Sequence, residues 1–95
     1  MKALLLLSVL FLSAGTAKAE ETSTKAAYYY GSIYGTGSTL CSLVNDGKLD
    51  KEYSRDYLAG MVELLKNDPK SRDVSSSIDR SYKDIKNEPE CKEAI

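Results

Sequence analysis

Two cysteines, Cys41 and Cys91, are the strongest constraint this sequence places on its own fold. Their reading depends on the first nineteen residues. Met1-Lys2-Ala3 is a short positive start, Leu4 to Leu12 is an uncharged apolar run, and Ala17-Lys18-Ala19 has the small-residue A-x-A pattern of a cleavage site. These are the three parts of a secretory signal peptide. Nine residues span only about 14 Å as a helix, well short of the ~30 Å hydrocarbon core of a bilayer. The expectation is therefore a cleaved leader over 1–19, a flexible mature N-terminus over 20–25 and one helical domain over 26–95, secreted to the periplasm or beyond. In an oxidising compartment an even cysteine count in a small chain reads as a disulfide. Cys41 and Cys91 have one intramolecular pairing. Closing a loop of that length restricts the unfolded chain by about 4 kcal/mol, comparable with the whole net stability of a small domain. Neither cysteine lies in a C-x-x-C, and the chain has no histidine to activate a thiolate.

Composition narrows the function classes. Removing nineteen of 95 residues takes away Lys2 and Lys18, so 13 basic residues become 11 against 14 acidic ones, a net charge of −3. That surface does not collect nucleic acid by counterion release. Absence of histidine also removes the commonest general base and metal ligand. No cofactor or metal is expected, and no enzyme. Glu52, Asp56 and Glu63 read as a solvated face, and Ser75-Ser76-Ser77 has no activating context. Asp46-Gly47-Lys48-Leu49-Asp50 resembles the middle of a calcium loop, but that alignment puts Val44 and Tyr53 where oxygen ligands are required.

The periodicity predicts three helices. Ala26, Tyr30, Ile33, Gly37, Leu40 and Val44 alternate spacings of four and three, a helix from about Thr24 to Val44, capped by Ser23 or Thr24. Gly31, Gly35 and Gly37 each cost it about 1 kcal/mol relative to alanine, so a late start or a kink near Gly35-Thr36-Gly37 is expected. Asn45-Asp46-Gly47 stops it. A second helix, capped by Asp50, runs from Lys51 to Lys66 with Tyr53, Tyr57, Met61 and Leu64 as its stripe, flanked by Leu58 and Leu65. Asp68-Pro69 ends it. A third begins near Ser71 or Asp73, with Val74, Ile78, Ser81 or Tyr82, and Ile85 facing inward. Asp79 with Lys83 and Arg80 with Asp84 make i,i+4 pairs on its outer face. Asn87 caps a last short turn with Pro89 near its start, and Cys91 pins this tail to the first helix. Short joints make the whole an all-α, up-down-up three-helix bundle with a disulfide-pinned C-terminal turn.

The seven tyrosines stand against a single phenylalanine. Tyr28, Tyr29, Tyr30 and Tyr34 crowd the first helix and point in different directions. The favoured reading of these rings is a small core finished with amphipathic aromatics; Tyr28, Tyr29 and Tyr34 remain the candidate contact surface, because tyrosine binds protein and sugar well at small entropic cost. Ala27, Gly31 and Gly35 form a small-residue stripe, read as a groove where another helix backbone comes close, with homodimer contact as the other reading. The expected partner is an envelope or extracellular protein, with no nucleic acid and no stable membrane insertion after cleavage. The layout of leader, helical chain of under eighty residues and two cysteines about fifty apart resembles that of periplasmic acid-stress chaperones. The likeness covers size and bridge spacing only, and no local motif around Cys41 or Cys91 matches, so it assigns no functional residue. A binding or inhibitor-like module is the leading reading and a periplasmic stress chaperone the alternative.

Overall fold

The computed structural model describes the backbone from residue 17 to residue 95 and the side chains from residue 23; the leader expectation rests mainly on residues 1–16, outside the described residues. Among the described residues three α-helices follow one another, α1 (Ala17–Asn45), α2 (Lys51–Asn67) and α3 (Ser75–Asn87), with a 3-10 turn at Arg72–Val74 leading into the last. Among the described residues there is no strand.

α1 runs unbroken past all three of its interior glycines, and back beyond Thr24 through 20–25, the stretch expected as a flexible end. Propensity disfavours this, but tertiary packing supplies most helical stability in proteins. Ile33, Leu40 and Cys41 are buried on one face. At Gly37 the backbone lies so close to α3 that a Cβ would sit 2.8 Å from Ile85 Cγ1. Glycine is required there by close approach, not by φ. The stop is as expected: Gly47 has φ +74°, its N–H donates to Val44 O at 3.0 Å, and that of Lys48 to Leu43 O at 2.9 Å. Those two bonds define a Schellman cap, which satisfies carbonyls the helix end leaves open.

α2 starts where Asp50 Oδ2 accepts the Tyr53 N–H at 3.0 Å and ends at Asp68, extended (φ −72°, ψ 129°) ahead of Pro69. Its buried face is Ser54, Leu58 and Val62, with Met61 and Leu65 half-buried. The expected stripe is thus turned by about one residue, roughly 100°, and Tyr53, Tyr57 and Leu64 are 58%, 52% and 74% exposed. Both rows have helical spacing, so periodicity alone does not choose between them. α3 buries Val74 just ahead of it, then Ile78, Ser81 and Ile85, as its period predicts. Its last turn ends at Asn87, and Glu88, extended before Pro89, takes the place expected for Asn87 as the boundary residue.

Cross-helix contacts fix the directions. Lys25 meets Asp73 at 2.7 Å, Tyr34 meets Glu88 at 2.6 Å, and Cys41 is joined to Cys91. Residue numbers rise together in that series, so α1 and α3 are parallel. Lys66 pairs with Asp79 at 2.9 Å while Arg55 lies by the Glu93 carbonyl at 3.5 Å, so α2 runs the other way. The Cys41–Cys91 disulfide bridges Cα atoms 5.3 Å apart. Around it Cys91, Ala94 and Ile95 are buried, and Asn45 Nδ2 donates to Glu90 O at 2.8 Å. Bridge and tail together close the end of the bundle. Two polar contacts replace the pairs expected on α3. Asp79 turns to Lys66 and Asp84 to Tyr30, because partners across the interface are held in place while i,i+4 neighbours on an exposed face are not.

Candidate functional site

The tyrosines of α1 divide among three environments. Tyr28 is 67% exposed, with its ring edge-on to Tyr29 at 5.3 Å. Tyr29 is half-buried against the core. Tyr30 and Tyr34 stack on each other, centroids 6.0 Å apart and planes 12° from parallel, and both are committed to α3. The Tyr34 hydroxyl donates to Glu88 Oε1, the Tyr30 hydroxyl donates to Asp84, and the Arg80 guanidinium lies 5.4 Å over the Tyr30 ring. The hydrogen bond to Glu88 holds the Tyr34 phenol protonated and raises its pKa to about 12. Asp84 acts on Tyr30 in the same direction. Of the three candidate contact tyrosines, then, Tyr28 is the one displayed to solvent, and Tyr34 is part of the α1–α3 seam. Ser81 adds to that seam, its Oγ donating to Tyr30 O at 2.6 Å.

The larger displayed surface lies elsewhere, on α2. Tyr53 and Tyr57 stack at 6.3 Å, and with Leu64 they form an exposed row along one side of the helix. Beside it runs a second uncommon surface. From Ala26 to Asn45, α1 contains no charged residue. Its outward positions Gly31, Gly35, Ser38, Thr39 and Ser42 are exposed. A Cβ at Gly31 or Gly35 would meet nothing within 4 Å. The small-residue stripe therefore does not mark a close intramolecular approach, as its spacing suggested; Gly37 does. Ser32 Oγ and Thr39 Oγ1 bond back to the carbonyls of Tyr28 and Gly35, at 2.8 and 2.9 Å, which leaves this face smooth and partly self-satisfied.

Glu52, Asp56 and Glu63 are exposed, as expected of a solvated face. Asp46 to Asp50 are engaged in the Schellman stop and the α2 cap, so one short segment both ends α1 and starts α2. The displayed row on α2 is not evident from the sequence, because its spacing is equally that of a core stripe. The twenty-residue uncharged run of α1 is the signal that was there to be found.

The described residues form a small all-α bundle held by one disulfide. Comparison with protein-family models gives no match, and comparison with curated proteins and with solved structures gives none either.

Proposed function

We propose that this chain is a small exported protein whose work is non-catalytic protein binding, in the periplasm or at the cell envelope, with an inhibitor-like role belonging to the same class. The observation that carries this reading is the exposed row of Tyr53, Tyr57 and Leu64. Single exposed apolar residues are ordinary, but aligned ones next to an uncharged helix face have the character of a contact surface. The Cys41–Cys91 bridge fits an oxidising compartment. The test is a photo-cross-linking amino acid placed at Tyr57 in cells, with Lys83 on α3 as the control position. A discrete envelope-protein adduct from position 57 and none from 83 is the expected result; no adduct from 57 refutes the reading.

A second reading, a periplasmic stress chaperone, draws on the α1–α3 seam. Its phenol-to-carboxylate bonds, Tyr30 to Asp84 and Tyr34 to Glu88, tie the helices together, and a chain without histidine has no group that senses mild acid. Suppression of client aggregation at about pH 4 but not at neutral pH favours it over the binding module.

A further inference from the structure

The row on α2 and the uncharged face of α1 lie side by side and border two shallow cavities that meet at Tyr57. A shallow cavity of about 500 Å³ lies between the helices, bounded on α1 by Gly31, Gly35 and Thr39 and on α2 by Tyr57. Tyr57 also borders a second cavity of about 390 Å³, continued along α2 by Gly60, Met61 and Leu64. Bare glycine backbone forms part of the surface, since Cβ atoms at Gly31, Gly35 and Gly60 would all meet open space. Tyr53, Tyr57, Gly60 and Leu64 repeat at spacings of four, three and four, the seam of a packed helix pair. From Tyr53 to Leu64 that seam is about 17 Å long, three helical turns. A groove of this form and length takes an amphipathic helix.

Charge decides whose helix it is. One wall carries no charge between residues 26 and 45. The outer rim of α2 carries Glu52, Asp56 and Glu63, all exposed and, at spacings of four and seven, on one ridge next to the apolar row. Two of the three cations of α2 are directed elsewhere, Lys66 to Asp79 and Arg55 towards the Glu93 carbonyl, and the third, Lys51, stands at the first position of the helix, ahead of Tyr53. A second copy of the chain is thereby disfavoured. Antiparallel pairing that sets Tyr57 against Gly60 also sets Asp56 of each copy near Glu63 of the other, and like charges facing each other select against that partner. The complement of an apolar seam with an acidic edge is an apolar stripe with a basic edge. We infer that the α1–α2 groove docks an amphipathic helix of a basic partner protein. Its apolar anchors lie over Gly31, Gly35 and Gly60, against Tyr57 and Leu64. Its Lys or Arg residues face Glu52, Asp56 and Glu63. This rests on the protein-binding reading and supplies the chemistry of its partner.

The experiment uses the exported, disulfide-bonded protein and three synthetic peptides of about 18 residues, long enough to form helix on binding. One is a Leu/Lys amphipathic sequence, one replaces each Lys by Glu, and one scrambles the first so that its apolar face is lost. Binding is followed by calorimetry and by backbone amide NMR. The Leu/Lys peptide is expected to bind and to shift the amides of Gly31, Gly35, Tyr57 and Gly60. Leu64→Ser, which leaves net charge unchanged at an exposed position, weakens it by about tenfold, the effect of losing one buried leucine. The triple reversal E52K/D56K/E63K, checked for native helicity, loses the Leu/Lys peptide and accepts the Glu one. Equal binding of the scrambled peptide, amide shifts away from the groove, or indifference to Leu64→Ser each overturns the inference. So does a dimer by sedimentation that Leu64→Ser dissolves, because it makes the occupant a second copy. If the Leu/Lys peptide fails while an envelope protein still cross-links through position 57, the basic helix is refuted and the protein-binding reading stands.

Discussion

Gly35 and Gly37 lie two residues apart in the same uninterrupted helix, yet alanine is expected to move their stabilities in opposite directions. Helix propensity favours alanine over glycine by about 1 kcal/mol at either site. At Gly35 nothing offsets that gain, because the new Cβ meets no atom within 4 Å. At Gly37 the Cβ would stand 2.8 Å from Ile85 Cγ1, 3.1 Å from Ile85 Cγ2 and 3.4 Å from Leu58 Cδ2. Ile85 and Leu58 are each only 1% exposed, so neither has space to retreat into, and relieving the contact requires the helices to part. Overpacking of this kind costs about 1–3 kcal/mol, which outweighs the propensity gain at all but the low end. Gly35→Ala is therefore expected to stabilise by about 1 kcal/mol and Gly37→Ala to destabilise by up to about 2 kcal/mol. For a domain of this size each kcal/mol moves Tm by roughly 4–8 °C. Thermal and urea melts of the two variants, disulfide intact, separate them directly. If Gly37→Ala raises Tm as much as Gly35→Ala does, the close approach of α1 to α3 is refuted.

Ser54 is fully buried, and its Oγ has no hydrogen-bond partner; Ser54→Ala should raise stability by about 1–2 kcal/mol in denaturant melts, since an unpaired buried hydroxyl is costly. Cys41→Ser or Cys91→Ser should lower stability by about 4 kcal/mol, read as a large fall in Tm matched by reduction of the parent protein; an unchanged Tm removes the staple argument. Tyr34, raised from 10.0 to about 12 by its bond to Glu88, should appear as a late-titrating phenol in an ultraviolet difference titration and move back towards 10.0 in Glu88→Gln. Because its folded pKa is raised, its stabilising contribution is present below pH 10.0 and is lost as pH climbs towards about 12.

The elements and their boundaries were largely legible in the chain, for local reasons. Gly47 and Asp50 stop one helix and start the next through bonds within a few residues, and Pro69 and Pro89 each force an extended residue before them. Two sulfurs in a short chain allow one internal bridge, and Cys41–Cys91 forms. The rotation of α2 was not legible. Ser54, Leu58 and Val62 share the helical spacing of Tyr53, Tyr57 and Leu64, and which row is buried depends on the shapes of α1 and α3 against it. Phenol hydroxyls make tyrosine equally at home at the rim or inside, so the rings carry no vote of their own.

Where the backbone turns and where the covalent tie falls is written in the residues, because caps, prolines and a lone cysteine pair act over short range or by elimination. Which of the glycines meets a neighbouring helix, which tyrosines are bound to carboxylates and which face solvent emerge once the helices pack. Those depend on how far each helix is rotated about its own axis, a quantity set by the packing of all three helices together.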